Sequence, residues 1–155
     1  MVEILLLHAD AWRDWRGLRL AALKESPDAF GSTFEEWSGP RDTEQRWRGY
    51  FEERGVNIVA ELDGERVGLV RAAPLVDDSE VELMSLWVDP AARGLGIGSE
   101  LIAAVARWMS ATFPDYTLRL SVRKTNVPAR TLYAREGFIE VGPDPEDPTE
   151  VVMSR

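Results

Sequence analysis

The 155-residue sequence contains no cysteine and a single histidine, His8. The absence of cysteine excludes disulfide bonds, a thiolate nucleophile and cysteine-ligated metal sites. A lone histidine gives no basis for a zinc site or for a catalytic triad that depends on histidine. We therefore expect a protein that uses neither a metal ion nor a thiol.

Long apolar runs and an excess of basic residues are also missing. No apolar stretch is long enough to cross a bilayer, and residues 4–7 are too short for the apolar core of a signal peptide. The net charge of −9 argues against nucleic-acid binding, which needs basic surface to neutralise phosphates, and is compatible with a cationic ligand such as an amine. We expect a cytoplasmic protein without a membrane or nucleic-acid partner.

The order of predicted elements indicates an α+β fold in one domain spanning residues 1–155, a length that suits a single substantial core. Strands are predicted at residues 2–7, 57–62, 66–74, 79–88, 117–123, 139–141 and 150–153. Helices are predicted at residues 10–24, at 43–53, from the glycines near position 96 to about 111, and at 128–136. This order favours a mixed, largely antiparallel central sheet flanked by helices.

The most informative stretch begins where the fourth predicted strand ends, at Asp89-Pro90. Arg93 and three alternating glycines follow (Gly94, Gly96, Gly98), and apolar residues then recur at helical spacing. A strand, a basic glycine turn and a helix expose backbone N–H groups at the positive end of that helix, which suits a pyrophosphate. The spacing fits neither a Walker loop, since no lysine follows, nor a dinucleotide fingerprint, since Ser99 replaces the third glycine.

A second motif runs from Asn126 to Phe138 and reads Asn-Val-Pro-Ala-Arg-Thr-Leu-Tyr-Ala-Arg-Glu-Gly-Phe. Pro128 suits the first turn of a helix, where its missing N–H costs nothing. Asn126 is a suitable N-cap and Gly137 a suitable helix end. The motif therefore predicts a short helix that carries Tyr133.

Together the two motifs resemble those of the GNAT superfamily of acyl-CoA-dependent N-acetyltransferases, in particular its small bacterial members. The family patterns are Gln/Arg-x-x-Gly-x-Gly/Ala and Asn-x-x-Ala-x-x-Leu-Tyr-x-x-x-Gly-Phe, and the resemblance covers nearly the whole chain. It implies a sheet that splays apart between the strands ending at Val88 and Arg123, with pantetheine in the gap.

The activity implied is transfer of an acetyl group from the co-substrate acetyl-CoA to a primary amine of a small molecule or peptide, by direct attack in a ternary complex. Two alternatives remain open: a non-catalytic acyl-CoA-binding regulatory module, and a protein N-terminal or lysine acetyltransferase. A homodimer is compatible with the family.

The resemblance also implies a set of residues that bind the acyl donor, drawn from the strand end, the glycine turn and the second motif. They are Leu86, Trp87, Val88, Arg93, Gly94, Leu95, Gly96, Ile97, Gly98, Ser99, Asn126 and Arg130. Arg123, Lys124 and Arg130 are alternatives for the 3′-phosphate of the donor, and a solvated surface charge is an equal interpretation of each.

Tyr133 is the candidate general acid, because a phenol with a pKa of about 10 is protonated at neutral pH and can donate to a departing thiolate. A packing tyrosine is the alternative. Glu82 is the candidate base, because residues 82–88 resemble the strand of histone-type family members in which a glutamate six residues before the final valine activates the amine. Strand alternation predicts that Glu82 shares a face with Met84, Leu86 and Val88. Glu80 is a rival, and an exposed strand-end carboxylate is the simpler interpretation of Glu82.

The segment 29–36 resembles the acceptor-side loop of one branch of small bacterial members. Phe30, Phe34 and Glu35 are the candidate substrate residues, with Trp37 and Glu36 as neighbours that could help to frame an amine. The alternative is a helix–helix corner in which Phe30 and Phe34 are core residues.

Overall fold

Seven strands form one sheet in the computed structural model, which describes residues 1–52, 54–76 and 78–155. The strands are Val2–Leu6 (β1), Val56–Leu62 (β2), Glu65–Pro74 (β3), Glu80–Val88 (β4), Thr117–Arg123 (β5), Ile139–Pro143 (β6) and Glu150–Ser154 (β7). Their spatial order is β1-β2-β3-β4-β5-β7-β6, and the β4–β5 pair alone is parallel. The predicted α+β fold with a mixed, largely antiparallel sheet is confirmed.

In the described residues, five α-helices flank the sheet: Trp12–Glu25 (α1), Phe34–Trp37 (α2), Glu44–Arg48 (α3), Ile97–Thr112 (α4) and Val127–Arg135 (α5). The helix predicted at 43–53 is shorter than expected, because a 3₁₀ turn, Gly49–Phe51, follows α3; Glu53 lies outside the described residues. Within the described ranges, no helix combines the length and the apolar character that a membrane crossing requires.

The two faces of the sheet are covered by different cores. Helix α4 covers one face and contributes Leu101, Ile102 and Val105 to a core of aliphatic strand residues. Helix α1 covers the other face, where Trp15 and Trp47 are fully buried. The tryptophans of the N-terminal third are therefore mostly packing residues of the second core.

The sheet opens between β4 and β5. These strands pair only over three residues each, Glu80–Glu82 against Thr117–Arg119. Beyond these pairs no described residue of β5 pairs with the rest of β4, so the backbone N–H and C=O groups along this edge, apart from the carbonyl of Val88, stay available to a ligand. The splay implied by the family resemblance is present.

A β-bulge interrupts β4 at Ser85, whose φ is +61°. Three residue steps of β4, from Met84 to Trp87, stand opposite two steps of β3, so one extra residue is inserted. Leu83 before the bulge and Leu86 after it therefore both contact the α4 core, while Trp87 joins the α1 core. The prediction that Glu82 shares a face with Leu86 and Val88 is wrong, because the bulge reverses the alternation.

Asp42 ties α1 to α3. Its carboxylate accepts hydrogen bonds from Nε of Arg16 at 2.7 Å, from Nη2 of Arg16, and from Nε1 of Trp47 at 2.7 Å. The hydrogen bonds from Arg16, more than those from Trp47, lower the pKa of Asp42 to about 2. Asp42 thus anchors the α1–α3 corner through charge-assisted bonds.

Substitution Asp42→Asn should lower the free energy of unfolding by about 1–2 kcal/mol at pH 7, the usual cost of losing a hydrogen bond to a charged group. Because the folded pKa is depressed, the stabilisation is full above about pH 4 and is lost as the pH falls towards 2. Urea unfolding at pH 7, 4 and 3 measures this. Asp10→Asn is the control, since Asp10 is 98% exposed. If the difference in the free energy of unfolding between wild type and Asp42→Asn were as large at pH 3 as at pH 7, the assignment would be contradicted.

Candidate active site

A cavity of about 790 Å³ lies at the open gap of the sheet. Three parts of the chain enclose it. They are residues 25–30 at and after the end of α1, residues 86–99 except 89–91 and 95, and the start and inner face of α5. In the described part of the chain, no three acidic or histidine side chains come together as a metal-binding group.

The glycine turn presents unused backbone donors to this cavity. Gly94 and Gly96 have φ values of +84° and +80°, which favour glycine over any residue with a Cβ. The first backbone hydrogen bond of α4 runs from the N–H of Glu100 to the carbonyl of Gly96 at 3.1 Å. The N–H groups of residues 97–99 precede it and have no helical partner. The turn therefore offers a positive helix end to an anion.

Gly98 has a different reason to be glycine. A Cβ at this position would lie 3.0 Å from Cδ2 of Leu132, which belongs to α5. The two motifs found in the sequence thus meet side by side, and a Cβ at position 98 would require the end of the Leu132 side chain to shift. The free N–H groups at the start of α4 suit an anionic group such as a pyrophosphate.

Arg93 does not point freely into the cavity. Its Nε donates to the carbonyl of Val88 at 2.9 Å, and its Nη2 donates to Oε1 of Glu25 at 2.6 Å. Hydrogen bonding from the Ser26 hydroxyl, followed by that from Arg93, lowers the pKa of Glu25 below its ordinary value. Arg93 therefore joins the end of α1 to the end of β4 across the cavity wall.

Tyr133 lines the cavity from α5 and is 8% exposed. Helix α5 begins as predicted, with Oδ1 of Asn126 accepting from the N–H of Ala129 at 3.3 Å, and ends at Gly137, whose φ is +94°. The ring of Tyr133 packs edge-on against Phe138 at 5.7 Å between centroids. Burial raises the pKa of Tyr133 above its usual value, so the phenol is protonated across the physiological range.

Glu82 stands outside the cavity lining, at the last β4 residue that pairs with β5. Partial burial raises the pKa of Glu82, Arg119 lowers it, and Asp144, Glu146 and Glu150 add to the increase. Oδ2 of Asp144 accepts from the Ser121 hydroxyl at 2.5 Å, which holds this acidic loop beside β5. The side chain of Glu82 is thus a carboxylate with raised proton affinity near other carboxylates.

Several predicted site residues lie elsewhere. Leu95 is 61% exposed and does not line the cavity. Arg130 is bound to the carboxylate of Glu140 and the carbonyl of Lys124, both at 2.9 Å. Arg123 instead reaches the carbonyl of Phe30 at 3.5 Å.

Of the three predicted substrate residues, one lines the cavity and two do not. Phe30 is buried and lines the cavity. Phe34 packs against the α1 core, and Glu35 is exposed, so neither contributes to the lining. Sequence reasoning missed Glu25 and Asp28 as lining residues, because Ser26-Pro27-Asp28 indicated only the end of a helix.

The fold has many solved counterparts. The PaiA N-acetyltransferase of Thermoplasma acidophilum, solved in complex with coenzyme A, superposes with a TM-score of 0.80 at 16% identity, over 100% of this chain and 98% of that chain. The ribosomal-protein-S18-alanine N-acetyltransferase of Escherichia coli gives a TM-score of 0.70 at 19% identity, over 99% and 92% of the two chains. At such low identities the likeness shows the fold.

Sequence comparison identifies the family. An uncharacterised N-acetyltransferase of Methanocaldococcus jannaschii is 35% identical over 80 residues, which are 52% of this chain. The chain spans about half the length of that curated relative. The profile of the acetyltransferase (GNAT) family matches residues 10–138, a range that contains both the glycine turn and Tyr133. The chain therefore belongs to the GNAT family of acetyltransferases.

Proposed function

We propose that this protein is an acetyl-CoA-dependent N-acetyltransferase that acts on a primary amine of a small molecule or peptide. The observation that carries the proposal is that one cavity contains both the free N–H groups at the start of α4 and the buried phenol of Tyr133. The first can hold the phosphates of the donor, and the second can supply a proton where the thioester breaks.

The donor would lie along the open edge of β4. The N–H groups of residues 97–99 would receive the pyrophosphate. The backbone of Leu86 and the N–H of Val88, whose carbonyl is held by Arg93, would pair with the amides of pantetheine as an added strand does. When bound, acetyl-CoA supplies an acyl group activated as a thioester. These roles of the chain need no contact from Leu95 or Arg130.

The acyl transfer would need two proton movements by protein groups. Glu82, acting through water, would accept the proton that the ammonium group must lose before its nitrogen can form the new N–C bond. Tyr133 would donate its phenolic proton to the sulfur as the C–S bond breaks, and the second proton that the nitrogen loses as the amide forms would pass through water to restore the phenol. The raised pKa of Glu82 suits it to accept a proton near neutral pH.

The acceptor side also favours a positively charged amine. Asp144, Glu146 and Glu150 lie near enough to Glu82 to affect its pKa. A protonated amine would be attracted to this carboxylate group before it loses a proton. A non-catalytic acyl-CoA-binding module would have no use for Tyr133 in the cavity wall, and for that reason we favour the enzyme.

Thiol release from acetyl-CoA tests the proposal directly. The acceptor panel comprises amines, polyamines, aminoglycosides, amino acids and short peptides, and acetyl-CoA binding is measured separately by calorimetry. Amine-dependent thiol release supports the enzyme. Acetyl-CoA binding without release for any acceptor class would favour the regulatory module, and no binding would remove the donor assignment.

Substitution Gly96→Ala should weaken acetyl-CoA binding about tenfold, because an alanine at φ +80° costs about 1 kcal/mol or more and displaces the free N–H groups that follow. The added methyl group meets no atom within 4 Å, so the effect is backbone strain alone. Calorimetric titration measures it. Gly17→Ala on the exposed face of α1 is the matched control and should leave donor affinity unchanged while stabilising the helix. Equal donor affinity of Gly96→Ala and wild type would argue against pyrophosphate binding by these N–H groups.

Substitution Tyr133→Phe should lower kcat about 10- to 100-fold while changing the Kd for acetyl-CoA less than threefold, since only the proton donor is lost. Pre-steady-state and steady-state thiol release measure kcat, and calorimetry measures Kd. Tyr116→Phe is the control, because Tyr116 packs on Phe113 away from the cavity. Unchanged turnover in Tyr133→Phe would leave this residue with a packing role.

Substitution Glu82→Gln should remove a rise of kcat/KM with pH. The carboxylate acts as a base only when ionised, and its pKa is raised, so the wild-type rate rises through a pKa above the ordinary glutamate value. The pH profile of kcat/KM for the amine measures this. Glu80→Gln is the matched control, because Glu80 lies on the same strand as Glu82, and its carboxylate is 3.9 Å from the guanidinium of Arg119 on β5. An identical profile in wild type and Glu82→Gln would eliminate Glu82, and a change confined to Glu80→Gln would transfer the role.

A further inference from the structure

Arg19 of α1 is a buried cation without enough partners. The residue is 4% exposed, and its Nε and Nη1 have no hydrogen-bond partner in the described part of the chain. Burial lowers the pKa of Arg19, an effect that the nearby Tyr50 opposes. A guanidinium stays charged in proteins, so Arg19 remains a cation with two unused donors.

Phe30 covers this cation on the side of the cavity. The Arg19 guanidinium carbon lies 4.7 Å from the centroid of the Phe30 ring, a cation–π contact. Phe30 in turn lines the cavity in which the acyl donor is proposed to bind. Phe30 thus both contacts Arg19 and lines the cavity.

A second guanidinium reaches the same residue from β5. Nη2 of Arg123 donates to the carbonyl of Phe30, and Nη1 donates to the Thr149 hydroxyl, both at the long distance of 3.5 Å. Nε of Arg123 is buried and has no partner among the described residues. Two cations with spare N–H groups thus approach Phe30, one beside its ring and one beside its carbonyl.

We propose that Arg19 and Arg123 bind a carboxylate of the acceptor beside Phe30, and that the acceptor is therefore an amino acid. The inference rests on the proposed function, because it names the substrate class of the same site. Guanidinium groups match a carboxylate with paired N–H donors, and buried donors without partners are the groups that such a ligand would satisfy. Binding at Arg19 requires that Phe30 moves aside.

The charges on the acceptor side suit both ends of an amino acid. The carboxylates around Glu82 attract the ammonium group, and the guanidinium groups at Phe30 attract the carboxylate. A polyamine would instead place a second positive charge towards Arg19 and Arg123, where like charges repel. Free amino acids should therefore be better acceptors than the matching amines without a carboxylate.

The experiment compares three pairs of acceptors that differ by one carboxylate: lysine with cadaverine, ornithine with putrescine, and tyrosine with tyramine. Thiol release from acetyl-CoA gives kcat/KM for each, and mass spectrometry identifies the acetylated nitrogen. We expect the amino acid of at least one pair to have a kcat/KM about tenfold higher than that of its amine. Equal or lower values for the amino acids in all three pairs, with turnover of the amines, would overturn the inference and leave the proposed function intact. No turnover of any acceptor would instead defeat the proposed function.

Variants of Arg19 connect the preference to the residue. Arg19→Met should remove the preference for the amino acid while leaving kcat/KM for its amine within about twofold, and Arg19→Lys should restore part of the preference. Arg13→Met is the matched control, because Arg13 also stacks on an aromatic ring, that of Trp12 at 4.5 Å, but is 74% exposed. Arg123→Met provides an independent variant if Arg19→Met does not fold. A preference that persists in every folded variant of Arg19 and Arg123 would show that the carboxylate binds elsewhere.

Discussion

The limited pairing of β4 with β5 is the constraint on which the site depends. The strands meet over three residues each and then separate, so the sheet carries a gap at its centre and not at its edge. A gap of this kind exposes polar backbone groups that a continuous sheet would satisfy internally. The glycine turn follows β4, helix α5 follows β5, and the two come together at Gly98 and Leu132, so both motifs of the sequence line one cavity.

The bulge at Ser85 is a second feature of β4 that shapes the site. By inserting one residue, it lets β4 direct Leu83 and Leu86 towards the same core, and it assigns Trp87 to the other core. A regular strand would have placed Leu86 and Glu82 on one face. The bulge thus separates the proposed base from the strand end that lines the cavity, which is why the proposed proton transfer from the amine to Glu82 is assigned to a water.

Much of the fold and of the donor side could be predicted from the sequence, because local rules dominate there. Glycines at positions 94 and 96 adopt positive φ, Asn126 caps α5 and Gly137 ends it, and each of these effects involves residues close in sequence. The bulge could not be predicted, since it is a property of the register between β3 and β4. The lining by Glu25 and Asp28 was missed for the same reason: it depends on where α1 ends in space, which the Arg93–Glu25 ion pair helps to fix.

That ion pair also connects the two halves of the site. Glu25 is the last residue of α1, and Phe30 follows after one short turn, so the contact between Arg93 and Glu25 positions the segment that carries the acceptor wall. Arg93 is itself held by the carbonyl of Val88, at the strand end where the donor is proposed to lie. One guanidinium thus contacts both the end of β4 and the end of α1, five residues before Phe30. In the proposed acceptor site Phe30 would have to move before a carboxylate reached Arg19, and the segment that carries Phe30 begins at the residue that Arg93 holds.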